Sequence, residues 1–328
     1  MAGGAQMTTH HLAEELARRG HDVTVVALAP SYRPPAPPFA AALGYRVVTS
    51  ETPAEVLAGM AGELDCVIVG GYHDRTVPWA EEMLGAAGGV PAVLYLHDVG
   101  ALDLTARPEL GIGAIVTVSR FLGERVRARG AEATCIEPIV DPDHYRVDTS
   151  RRVALFVNPV AQKGVDAALG MAEARPDIPF AFVRCWRIPD AEDEPLRVRA
   201  RAAGNVELRD TVWDPRELYR DARVLLVPSR YPEGWPRVTA EAQASGIPVV
   251  SADVGGASEA ANGAAVLVAP DAPDARWAEA LGRLWDDAAE YDARAAAAAA
   301  AAARQAVSAR SVGDRFEALL AGLAPSRR

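Results

Sequence analysis

Two carboxylates, Glu233 and Glu241, stand eight positions apart in "PSRYPEGWPRVTAEAQASGIPVVSADVGGASE". The first lies in a Pro/Gly-rich loop after the apolar run "RVLLV". The second lies about one turn inside a helix that the pattern starts near Pro236, since proline is tolerated in a first helical turn. At that start the N–H groups of Arg237 and Val238 have no partner inside the helix, and the helix dipole adds positive potential, which suits a phosphate. Carboxylates accept hydrogen bonds from sugar hydroxyls. Hydroxyl-binding groups on both sides of an anion site fit a nucleotide sugar, with ribose at one end, diphosphate in the middle and hexose at the other.

Such a site needs strands to carry its loops. Buried runs such as "HDVTVVALAP", "DCVIVGG", "VPAVLYLHD", "RRVALFVN", "PFAFVRCW" and "IPVVSAD" alternate with helical stretches such as "MTTHHLAEELARRG", "SRFLGERVRARG" and "GVDAALGMAEARP". Continuous apolar strands between helices predict parallel sheets covered on both faces. The pattern predicts a strand at "NVELRD" directly after "PFAFVRCW", and a last short strand of the first half at "ATCIEPIV". Ser119 is a candidate N-cap. "SYRPPAPP" reads as a stiff loop, and the alanine run 295–303 as a surface helix. Two series joined near "DPDHYRVDTS" predict two Rossmann-like domains, 1–147 and 148–328, with the last helix free to cross back to the first. Ligands of such sheets bind at the carboxyl ends of strands.

Composition sets limits. The chain has 328 residues, half of them hydrophobic, and a net charge of −10, which argues against a general nucleic-acid binder. Its cysteines, Cys66, Cys135 and Cys185, lie far apart, against a disulfide framework or a zinc site and in favour of a reducing cytoplasm. No stretch reaches the length of a membrane-spanning helix, and no signal peptide is legible; peripheral membrane contact stays open.

The opening stretch resembles the signature of glycosyltransferase family 4, the retaining GT-B enzymes, in the pattern "PS…E-G-(aromatic)-P…EA…G.PVV..D.GG..E". The resemblance implies an α/β GT-B fold and a donor site that includes Gly234 and Trp235. It implies that Glu233 holds hydroxyls of the transferred sugar and Glu241 those of the ribose. "VALFVNPVAQKGVDAAL" resembles the family's phosphate-binding segment: Lys163-Gly164 match, but Asn158-Pro159 stand where an arginine is usual, with Arg237 and Arg230 as candidate replacements. "GGAQMTTHHLAEELARRGHDVTVVA" resembles the N-terminal glycine element, which places Gly3 and Gly4 near the donor. His97, ending "VPAVLYLHD", matches a histidine that faces the donor sugar, and His73 is a weaker acceptor-side candidate. His10 and His11 read as ordinary helix residues. Asp141-Pro142-Asp143 mimics a metal-binding Asp-x-Asp, but it falls in a linker and the family implies no catalytic metal and no cofactor.

The family normally begins with a strand before the glycine pair, and only Met1 and Ala2 precede it here. The expectation is a first domain lacking its first strand, and a natural start lying upstream. The implied activity is retaining transfer of a sugar from a nucleotide-diphosphate donor to an unidentified hydroxyl acceptor, on a small natural product, glycan or lipid. Glu233, Lys163 and His97 are the candidate catalytic residues. Two alternatives stay open: an epimerase or phosphorylase of the same fold, and a non-catalytic sugar-nucleotide binder.

Overall fold

The structure is a computed structural model that describes residues 3–29, 43–72, 76–212, 214–304 and 309–323. The "SYRPPAPP" loop and His73 lie outside the described residues. In chain order the first half carries α1 (Gly4–Arg18), β1 (Thr24–Leu28), β2 (Arg46–Ser50), α2 (Pro53–Met60), β3 (Val67–Gly71), α3 (Val77–Ala86), β4 (Ala92–Leu96), β5 (Ile112–Thr117), α4 (Arg120–Arg127) and β6 (Thr134–Cys135). The second half carries β7 (Val153–Val157), α5 (Val165–Ala174), β8 (Phe180–Arg184), α6 (Asp190–Ala203), β9 (Val206–Asp210), α7 (Pro215–Tyr219), β10 (Ala222–Val227), α8 (Arg237–Gln243), β11 (Val249–Ala252), α9 (Ala257–Ala261), β12 (Val266–Val268), α10 (Asp274–Asp286), α11 (Ala288–Arg304) and α12 (Ala309–Leu323).

The chain divides into two compact units. One is Val140–Ala306; the other is Ala2–Ile139 with Val307–Arg328. The division thus falls at 139/140 rather than 147/148, because Val140 and Tyr145 are buried in the core of the Val140–Ala306 unit.

In the Val140–Ala306 unit, six parallel strands run in the order β12-β11-β10-β7-β8-β9. Alternate side chains feed two cores. Ala154, Phe156, Phe182, Val224, Leu226 and Val250 face one way, against α5, α6 and α10. Val153, Leu155, Val157, Val183, Leu225 and Val249 face the other, against α7 and α8. The helices after β7 and β8 therefore cover one face, and the helix after β10 covers the other. The winding reverses between β7 and β10, which opens a crevice at the carboxyl ends of those two strands.

The other unit holds β3-β4-β5-β6 as one parallel sheet and β1-β2 as a separate parallel pair. Among the described residues no strand joins the two. α12 packs on α1 of this unit, and Phe316 on α12 meets Tyr95 edge to face at 5.3 Å.

Four readings change. α6 was not expected between β8 and β9, since "DAEDEPLRVRARAA" is acidic and carries Pro195. Yet β8 and β9 pair in parallel, and such a pair needs a crossover. "ATCIEPIV" pairs only over Thr134–Cys135. The alanine helix α11 is not merely a surface helix: Ala298, Ala301 and Ala302 are buried. Its small side chains allow close approach, and a Cβ on Gly246 would lie 3.5 Å from the Ala295 carbonyl. Finally, His10 and His11 are buried; His10 Nδ1 is 2.9 Å from the Tyr45 hydroxyl and His11 Nδ1 is 3.1 Å from the Ile139 carbonyl. No helix among the described residues is long and apolar enough to cross a membrane.

Candidate active site

The loops after β7 and β10 flank the crevice of the six-stranded sheet. After β7, Asn158 takes a left-handed conformation (φ 59°), and its side-chain oxygen accepts a 2.9 Å hydrogen bond from the Trp186 N–H of the backbone. A 3-10 turn, Ala161–Lys163, then ends at left-handed Gly164. A Cβ there would lie 1.8 Å from the Pro228 carbonyl oxygen, so only glycine lets the two loops meet. The Arg230 N–H donates to the Gln162 carbonyl at 3.1 Å and fastens the same seam.

This contact brings Lys163 to Glu233. The ammonium pairs with Oε2 of Glu233, and Ser229 donates to Oε1. Lys163 also lies 5.2 Å from the centre of the Trp186 ring, within cation–π range. Both partners are mostly buried but keep some exposure, 19% for Lys163 and 14% for Glu233. The backbone of Glu233 is held as well. Its carbonyl accepts from Gly256 N–H at 2.8 Å. A Cβ on Gly255 would stand 2.4 Å from that carbonyl, and its φ is +64°. The double glycine after β11 is therefore what lets the Glu233 loop lie against the next turn.

α8 begins at Arg237, one residue after Pro236, which caps it from an extended conformation. Arg237 and Val238 supply its first amides. Glu241 is buried one turn in, and it accepts from the Tyr219 hydroxyl at 2.8 Å and from Arg237 Nε at 3.3 Å. Arg237 also donates to the Tyr145 hydroxyl at 3.2 Å. Burial raises the Tyr219 hydroxyl well above its ordinary value, and the neighbouring Glu241 carboxylate adds to this, so Tyr219 stays a donor. Burial opposes the charge of Arg237, but Tyr145 and Glu241 outweigh it and the guanidinium stays protonated.

The two candidates for the missing arginine are placed differently. The Arg237 side chain is turned into the core, 5% exposed. Arg230 donates to the Pro270 carbonyl. Gly234 is buried, and Trp235 and Val238 pack against the core under α7 and α8. Lys163, Glu233, Gly234, Trp235, Arg237, Val238 and Glu241 all fall in the Val140–Ala306 unit.

Gly3, Gly4 and His97 belong to the other unit. Gly3 caps α1 and its N–H donates to the Gln6 side chain at 2.7 Å; Gly4 opens the helix and is exposed. His97 follows β4, its N–H donates to the Gly71 carbonyl at 2.7 Å, and its ring packs between Tyr95 and Tyr72. Asp141 caps the 3-10 turn Pro142–His144 through the Asp143 N–H, and Asp143 pairs with Arg146. Both carboxylates are thus occupied in local structure.

Sequence reasoning missed Ser229, Trp186, Tyr145 and Tyr219. Tyr219 sat in "DPRELYRDA" at core spacing, and its hydroxyl was the signal: a buried phenol needs a partner.

Residues 2–144 match the family model Glycosyltransferase Family 4, and residues 151–287 match Glycosyl transferases group 1. The chain belongs to glycosyltransferase family 4, and it is a glycosyltransferase of GT-B fold. It is 28% identical over 358 residues to the D-inositol 3-phosphate glycosyltransferase of Nocardia farcinica, covering 87% of this chain and 78% of that one. The protein of the same name from Paenarthrobacter aurescens is 32% identical over 154 residues, 45% of this chain and 37% of that one. HepE of Anabaena, solved with UDP-glucose, superposes with a TM-score of 0.79 at 17% identity over 98% of this chain and 97% of its own. WaaG, a glycosyltransferase involved in lipopolysaccharide biosynthesis, gives 0.73 at 18% identity over 98% and 97%. These likenesses at low identity speak to the fold. The Lys163–Glu233 pair and Glu241 lie inside the segment matched to the group 1 model.

Proposed function

We propose that this glycosyltransferase moves a sugar from a nucleoside diphosphate donor to a hydroxyl acceptor with retention at the anomeric carbon. The observation that carries the proposal is the Lys163–Glu233 pair, held at the carboxyl ends of β7 and β10 by two glycines that no other residue could replace. Lys163 and the first amides of α8 compensate the charge that develops on the departing diphosphate. Glu233 takes hydroxyls of the transferred sugar, and Glu241 takes those of the ribose. By family likeness alone, His97 is assigned a role toward the transferred sugar, and Gly3 and Gly4 a role toward the donor. The acceptor oxygen bonds to the anomeric carbon on the face from which the phosphate oxygen departs. The departing diphosphate receives the acceptor proton, so the step requires no covalent nucleophile on the protein. Family membership supports retention.

UDP-glucose is the first donor to try, because HepE was solved with it. D-inositol 3-phosphate is the first acceptor to try, because the curated relatives are named for it. The test measures nucleotide release and the anomeric configuration of the product by NMR. Lys163→Ala is expected to lower turnover by roughly a hundred-fold or more. Near-normal turnover in that variant removes Lys163 from the mechanism, and an inverted product refutes retention.

A further inference from the structure

Glu241 offers its carboxylate from inside the protein, with its side chain 8% exposed. A carboxylate has about four acceptor directions. One oxygen receives the Tyr219 hydroxyl and the other receives Arg237 Nε. Each oxygen thus keeps a direction for one more donor, and a vicinal diol supplies two donors side by side. A glutamate carboxyl rotates broadly about its last torsion unless something fixes it. Here two groups on different helices fix it. Tyr219, on α7, is fully buried, so a phenylalanine could fill the same space and only the hydroxyl reaches Glu241. Arg237, also buried, is steadied in turn by Tyr145.

We infer that Tyr219 and Arg237 are positioning residues for the ribose end of the donor: they hold the Glu241 carboxylate in one orientation and so set the preference for a ribonucleoside diphosphate over its 2′-deoxy counterpart. The inference rests on the assignment of Glu241 to the ribose under the proposed function. Its logic is that a desolvated carboxylate, pre-aimed at two hydroxyls, loses heavily when one is missing. A carboxylate free to turn adapts to the single hydroxyl and discriminates less.

The experiment is calorimetric titration of the full chain with UDP, GDP and ADP and with their 2′-deoxy counterparts. Wild type is compared with Tyr219→Phe, Glu241→Ala and the double variant. The wild type is expected to prefer the ribo form of its best nucleotide by roughly ten-fold or more. Tyr219→Phe is expected to cut that ratio to less than about three-fold, chiefly by weakening the ribo form, and to have no further effect once Glu241 is alanine. A purely structural tyrosine would weaken both forms alike. If Glu241→Ala abolishes the ratio and Tyr219→Phe leaves it intact, the positioning inference is wrong and the ribose assignment stands. If Glu241→Ala leaves the ratio intact, or no nucleotide binds the folded wild type, the ribose assignment fails and the inference with it. Should Tyr219→Phe not fold, Arg237→Lys serves instead, since it keeps the charge but loses the fork; an unchanged ratio there overturns the inference in the same way.

Discussion

The two units bury their strands differently. In the Val140–Ala306 unit every residue of β7 is buried and the six strands form one continuous ladder. In the other unit β4 is equally buried, but β1 and β2 are only half-buried and, among the described residues, pair only with each other. Polar groups matter in both, though to different ends. In the first case the buried set Tyr145, Arg237, Tyr219 and Glu241 sits at the candidate donor site. In the second, Glu15 on α1 takes Arg18 and Arg19, and Arg19 continues to Asp314 and Glu317 on α12. One network holds a candidate ligand-binding group in place; the other fastens a C-terminal helix to the N-terminal unit. A continuous hydrophobic sheet can carry a site whose loops must stay fixed. A divided sheet relies more on what is packed around it.

The sharpest way to break that contrast is at Gly164. A methyl group there meets the Pro228 carbonyl at 1.8 Å in a left-handed backbone, so Gly164→Ala is expected to cost about 3 kcal/mol or more and to abolish nucleotide binding. Urea unfolding and calorimetry check both; retained binding would show that the loop seam does not build the site. Phe316→Ala comes next. Phe316 is fully buried, and its loss is expected to cost about 3 kcal/mol in the unit of Ala2–Ile139 with Val307–Arg328 only. Hydrogen exchange should then quicken in β3–β5 and stay unchanged in β7–β11; a uniform change would mean the units do not unfold separately.

Exchange on the unmodified chain sharpens the same comparison with a smaller perturbation. Amides of β7 and β10 are expected to exchange far more slowly than those of β1 and β2. Equal protection would contradict the reading of a weaker β1–β2 pair. The smallest effect concerns pH. Burial raises the Glu15 carboxyl, but Arg18 and Arg19 outweigh it and hold it below its ordinary 4.5. Its contribution is therefore complete above pH 4.5 and is lost as pH falls through the lower folded value. Glu15→Gln should be less stable at neutral pH and converge on wild type in acid. Parallel acid limbs in the two proteins would remove Glu15 from the account.

Much of this was legible along the chain because it rests on local rules. Apolar runs between helical stretches gave the parallel sheets. The Glu233 and Glu241 spacing, with Lys163-Gly164 after a strand, marked the site by local pattern and family likeness. α6 was missed because an acidic stretch with an internal proline looks unhelical, whereas its need comes from the parallel pairing of β8 with β9. The fate of Arg237 was misread for a related reason: a charged residue at a helix start reads as exposed until its buried partners are known.

The sequence by itself determined most of the strands and helices, α6 excepted, and which residue types could bind a diphosphate and sugar hydroxyls. Periodicity and loop chemistry act over a few residues, so they are written in order. Only the tertiary structure decided that Gly164 must be glycine because of Pro228, that Glu233 takes Lys163 and Ser229, and that Glu241 is gripped by Tyr219 and Arg237. Most of those partners lie far apart along the chain. Their meeting depends on the order of strands in the sheet and on where its winding reverses, which no local pattern encodes.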